Sequence, residues 1–124
     1  MNRPILFVDD DVMIISLWKD QCEDAGLTGA LFASTLLEAL QHIEQNEGIP
    51  ILVCDGAFPL VKKGNAYYNN GEFLLKHFHT GIRVVCSGDA DFSLRMGKEG
   101  NAEKVCKKED AVELVVLNIN DTRK

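Results

Sequence analysis

Short, wholly apolar runs that stop abruptly on a polar residue, each followed by a stretch of helical periodicity, constrain this chain more than any other feature. Ile5-Leu6-Phe7-Val8 runs straight into Asp9-Asp10-Asp11, and Ile51-Leu52-Val53-Cys54 into Asp55. A four-residue run without polar alternation is the signature of a strand covered on both faces, as in a parallel sheet. Ile82-Arg83-Val84-Val85-Cys86, ending at Ser87, and Glu103-Lys104-Val105-Cys106, ending at Lys107, read the same way, and a weaker strand spans Gly29 to Ala33.

Between these runs the period changes. From Asp11 to Ala25, Ile14, Ile15, Trp18 and Cys22 recur at helical spacing, and Gly26 is placed to stop the helix. Ser34 is expected to cap a helix from Thr35 to about Asn46, with Glu38 in its first turn. Gly71 to about His79 is expected to be helical with Phe73, Leu74 and Phe78 inward; Asp89 to Glu99 reads as a poor helix interrupted by Gly97; Glu109 to about Leu117 makes a last one. The stretch from Gly56 to Asn70, which contains Pro59, two glycines and asparagines, reads as a long loop.

Five strands alternating with five helices predict an α/β three-layer sandwich with a parallel sheet between helical layers. With no internal repeat or linker, residues 1–124 are expected to form one domain. Charge narrows the partners: 19 acidic residues against 13 basic leave −6, which argues against nucleic acid or an anionic membrane surface. The apolar runs fall far short of the roughly 20 residues of a membrane span, and Met1-Asn2-Arg3-Pro4 leads into a strand rather than a cleavable leader, so a cytoplasmic protein is expected. The four cysteines form no CxxC pattern and read as buried thiols; Cys54, Cys86 and Cys106, each one residue before a strand end, are expected on the face turned away from the site, near one another. His42, His77 and His79 lack a shared face for a metal, and Trp18 reads as packing.

In open α/β sheets ligands bind outside the carboxyl ends of the strands, so Asp9, Asp10, Asp55, Ser87 and Lys107 are expected to converge. Carboxylates brought together repel unless a hard divalent cation lies between them, and Mg²⁺ takes one or two carboxylates plus water and phosphate oxygens. A lysine and a hydroxyl on the same rim would bind an incoming anion. The set describes a phosphoryl site in which one carboxylate is the nucleophile and Ser87 and Lys107 stabilise the transferred oxygens.

These residues resemble the receiver domain of two-component response regulators over nearly the whole chain. The resemblance rests on Ile5-Leu6-Phe7-Val8-Asp9-Asp10-Asp11, on Asp55 with Pro59 four residues later, on Asn70-Gly71-Glu72-Phe73-Leu74-Leu75, on Val84-Val85-Cys86-Ser87-Gly88, and on Gly100-Asn101-Ala102-Glu103-Lys104-Val105-Cys106-Lys107. It implies a flavodoxin-like (βα)5 fold with strand order 2-1-3-4-5 and a phosphoacceptor at Asp55. It also implies Mg²⁺ held by Asp10 directly, Asp9 through water or hydrogen bonds, Asp55, and the backbone carbonyl of Ala57. Ser87 would bond the phosphoryl group and Lys107 pair with it. The donor would be a histidine kinase or phosphotransfer protein, and the chain would be a signalling protein with slow self-catalysed dephosphorylation rather than an enzyme. Because the chain ends about seven residues after the last helix, output is expected through protein contact.

Three departures stand out. Lys104 occupies the place of the family's aromatic switch residue, three before Lys107; Lys108 replaces the proline that usually follows the lysine; and eleven residues, Leu60 to Asn70, intervene where the family has a handful. Together they suggest an alternative: a receiver-fold interaction module that does not switch by phosphorylation. A phosphohydrolase of the haloacid dehalogenase type, another aspartate-nucleophile class, needs Thr or Val two residues after Asp-x-Asp, where this chain has Met13.

Overall fold

The computed structural model describes residues 4–46, 48–55, 60–63, 66–78, 81–86, 90–99 and 102–122. Its centre is a five-stranded sheet of β1 (Ile5–Val8), β2 (Ala30–Ala33), β3 (Ile51–Cys54), β6 (Ile82–Val85) and β7 (Lys104–Val105), in the order β2-β1-β3-β6-β7 with every pairing parallel. Counting sheet strands alone, that is the 2-1-3-4-5 order of the flavodoxin-like fold. The helices are α1 (Val12–Asp24), α2 (Leu36–Gln45), α3 (Asn70–His77), α4 (Ala90–Lys98) and α5 (Ala111–Thr122). None among the described residues is long and apolar enough to cross a membrane.

Alternation along the strands sorts the core into two layers. Ile5, Phe7, Ile51, Val53 and Val84 face α1 and α5, meeting Ile15, Trp18, Cys22, Val112 and Val115. Leu6, Val8, Leu52, Cys54 and Val85 face α2, α3 and α4, meeting Ala39, Leu74, Leu75, Phe78 and Met96. Each fully buried Leu, Ile, Val or Phe contributes about 1.5–3 kcal/mol, which is why strands of four residues suffice. At the far side of the sheet, Arg83 donates to both carboxylate oxygens of Glu103 and to the Leu75 carbonyl, tying β6, the approach to β7, and α3 together.

Several local expectations are corrected. The stretch expected to be a loop contains an antiparallel hairpin, β4 (Leu60–Lys63) with β5 (Ala66–Asn69), paired apart from the main sheet. Its signal was Gly64-Asn65 between two four-residue runs, a hairpin dipeptide outweighed in the reading by the density of loop-forming residues. The cap of α2 is Thr35, whose Oγ1 accepts from Glu38 N at 3.1 Å, while Ser34 binds the Glu38 carboxylate. Helix α4 runs unbroken through Gly97, because a Cβ there would come within 3.3 Å of Val105 Cγ2; the glycine is where α4 closes on β7. On α3 the inward residues are Leu74, Leu75 and Phe78, and Phe73 stacks on His77 at the surface. The cysteines do not share a face: Cys54 belongs to one layer, Cys86 and Cys106 to the other.

Candidate functional site

The site is built by carrying the strand ladder one residue past each strand. Asp9 N donates to Ala33 O, Asp55 N to Val8 O, and Cys106 N to Val85 O, at 3.0–3.1 Å. These bonds fix the backbone of the strand-end residues, so their side chains start from a rigid edge. One carboxylate oxygen from each of Asp9, Asp10 and Asp55 lies within 4.8 Å of the others. Asp10 is exposed, whereas Asp9 and Asp55 are the buried charged residues among those described. The next residue, Asp11, caps α1 by accepting from Met13 N at 2.9 Å, and Asp9 Oδ1 accepts from Asp11 N at 2.9 Å.

A cation already reaches this cluster. Lys108 Nζ donates to Asp55 Oδ2 at 3.0 Å and lies 2.9 Å from Asp9 Oδ2. The second contact is an ion pair off the hydrogen-bonding direction, so Asp9 Oδ2 has no hydrogen-bond donor among the described residues. Burial pushes the Asp9 carboxyl up to about 6, more than the Asp11 amide and Lys108 pull it down. Burial also acts to lower the Lys108 ammonium, but pairing with Asp9 and Asp55 holds it above its ordinary value. The Cys54 and Cys86 thiols are pushed well up, chiefly by burial, which leaves them unreactive packing groups.

The expected convergence is met for Asp9, Asp10 and Asp55. The Lys107 side chain is exposed, and the ammonium that reaches the cluster is that of Lys108. The register explains the difference. Strand β7 pairs Lys104 with Val84 and Val105 with Val85, and the Cys106 amide makes the last ladder bond, so Lys107 leads out of the sheet and Lys108 opens the 3₁₀ turn Lys108–Asp110 that folds back over the site. Two adjacent lysines carry no periodic signal that separates them. Val105, three residues before Lys108 as Lys104 is before Lys107, is 45% exposed. The Lys107–Lys108 peptide is trans. Ser87 and Ala57 lie outside the described residues. A contributor that sequence reading took for packing alone is Trp18, whose Nε1 donates to Lys108 O at 2.9 Å.

Three hard carboxylate oxygens converging at the sheet edge, two of them on buried groups that share one lysine as counter-charge, form a donor set that suits Mg²⁺. No protein-family model matches the chain, and no curated protein matches it. Solved structures do. A CheY-like response regulator receiver domain protein from Methanospirillum hungatei JF-1 superposes with a TM-score of 0.73 at 20% identity, covering 99% of this chain and 98% of that one. A response regulator receiver domain protein from Clostridium thermocellum gives 0.69 at 22%, covering 98% and 97%. A structure described as an adenylate cyclase from Rhodopirellula baltica gives 0.62 at 14%, covering 100% and 99%. From the paired strand ends to the last helix, this chain has the fold of a CheY-like response regulator receiver domain.

Proposed function

We propose that this chain is a response regulator of the phosphoacceptor kind, in which Asp55 receives a phosphoryl group from a phosphohistidine on a histidine kinase or phosphotransfer protein in the cytoplasm. The observation that carries the reading is the meeting of Asp9, Asp10 and Asp55 at one sheet edge with Lys108 reaching between two of them. Asp9, Asp10, Asp55 and the Ala57 carbonyl would hold Mg²⁺, which when bound offsets the charge gathered on the transferred oxygens. An Asp55 oxygen forms the new O–P bond as the P–N bond of the phosphohistidine breaks and the imidazole leaves. Lys108, released from the carboxylates, pairs with the phosphoryl oxygens, and the Ser87 hydroxyl donates to them. The acyl phosphate then hydrolyses slowly, and the signal passes by contact with another protein.

The test is incubation with acetyl phosphate and Mg²⁺ followed by intact mass. One phosphoryl group is expected on the wild type and none on Asp55→Asn or in the presence of a chelator; no gain, or a gain indifferent to Asp55→Asn, sinks the proposal. A second reading, a receiver-fold interaction module that does not switch, draws on Val105, which has no ring to swing inward. It gains if amide shifts at the site respond to beryllofluoride, the activator of the structurally similar DrrB receiver domain, while those of α4 and β7 do not.

A further inference from the structure

Trp18 is wholly buried in the middle of α1, tilted against Phe7 with ring centroids 5.5 Å apart. Its single donor leaves its own helix: Nε1 bonds the carbonyl of Lys108, 90 residues away in the chain, at 2.9 Å. Nearly one turn further along α1, Gln21 Nε2 donates to the next carbonyl, Glu109 O, at 3.2 Å. Indole is a donor only, and a buried one needs an acceptor; here the acceptor is the backbone of the residue whose ammonium lies between Asp9 and Asp55.

We infer that Trp18, assisted by Gln21, is a positioning residue that fixes the backbone at Lys108 so that its ammonium lies between Asp9 and Asp55. A lysine stem is long and freely rotating, so where its charge goes depends on where its backbone is held. The ladder holds that backbone at Cys106, α5 holds it from Ala111 onward, and between them the 3₁₀ turn is closed by local bonds, Asp110 N to Lys107 O at 3.0 Å and Ala111 N to Lys108 O. The two α1 donors tie that turn, through the carbonyls of Lys108 and Glu109, to the body of the protein. Since α1 also begins at the Asp10-Asp11 end of the site, the clamp makes the acidic cluster and its lysine one rigid unit.

This inference rests on the phosphoacceptor reading for one of its two consequences. A well-placed Lys108 competes with a divalent cation for Asp9 and Asp55, and it also stabilises the transferred phosphoryl group. Loosening it should therefore move the two in opposite directions. Trp18→Phe keeps the ring packing and deletes the donor. Loss of one hydrogen bond predicts roughly two- to tenfold tighter Mg²⁺ binding, read from amide shifts on titration with MgCl₂, and a similar slowing of Asp55 phosphorylation by acetyl phosphate. Lys108→Met should show both effects more strongly, and adding Trp18→Phe to it should change neither further. A purely packing role would weaken both properties together, and that result overturns the inference, as does no change in either or full additivity with Lys108→Met. If Trp18→Phe does not fold, Gln21→Met, which removes the outer donor and leaves the core intact, must show the same opposed signs at smaller size. Should the wild type take no phosphoryl group at all, the phosphoacceptor reading falls, and the Mg²⁺ titrations alone decide the role of Trp18.

Discussion

Asp9 shows what the site costs the fold. Its carboxylate is fully buried, and burial raises its pKa from 3.8 to about 6 despite Lys108 and the Asp11 amide. A folded-state value above the unfolded one means that the native protein binds the proton more tightly. The associated stability is complete below about pH 4 and is lost as pH rises through about 6. At pH 8, without divalent cation, Asp9→Asn should therefore raise the free energy of unfolding by about 1–3 kcal/mol, and the gain should shrink to nothing by pH 4. Urea unfolding at the two pH values checks this; a gain at pH 4 that vanishes at pH 8 would reverse the sign and refute it. At this scale the acidic residues were legible, because Asp9 and Asp55 each end an apolar run and Asp10 adjoins the first. Lys108 was not, because its neighbour is the same residue type and only strand register tells them apart.

Elements are held in place by a few contacts that admit no side chain. Gly81 precedes β6, where Ile82 N donates to Pro50 O at 2.8 Å, so the two chains are already bonded. A Cβ on Gly81 would overlap the Pro50 backbone, which cannot yield as a flexible side chain could. Gly81→Ala should destabilise the protein by roughly 3 kcal/mol or more, whereas Gly48→Ala meets no neighbouring atom and carries only the strain of its positive φ of 68°. Thermal unfolding of the two variants side by side is the check, and equal losses would show that the Gly81 contact relaxes. The sheet strands were readable as short apolar runs covered on both faces, and α1, α2, α3 and α5 by their 3.6-residue period. Helix α4 was legible in place but not in its continuity through Gly97, and the β4–β5 hairpin was not legible. Gly97 lowers helix propensity for the sake of a tertiary contact with Val105, and a strand pair of two four-residue runs is too short for alternation to stand out from a loop.

The whole molecule keeps its charges and its core apart. Two apolar layers hold the sheet, and Asp9 and Asp55 are gathered at its carboxyl edge, where Lys108 pairs with both. A folded protein with fixed, buried carboxylates presents a cation site that the unfolded chain lacks, so cation binding must be linked to folding. At a concentration one hundred times its dissociation constant, Mg²⁺ should stabilise the native state by about 2.7 kcal/mol and raise the melting temperature of a chain this size by about 10 °C. The rise should be logarithmic in Mg²⁺ and reversed by a chelator. Asp10→Asn should abolish it while leaving the metal-free melting temperature nearly unchanged, because the Asp10 side chain is exposed. Lys108→Met should do the opposite, lowering the metal-free melting temperature, since Asp9 and Asp55 then lose the ammonium that pairs with both, and enlarging the Mg²⁺ response. A melting temperature indifferent to Mg²⁺ in the wild type would mean that Lys108 fills the site against any divalent ion, leaving the receiver fold without its metal.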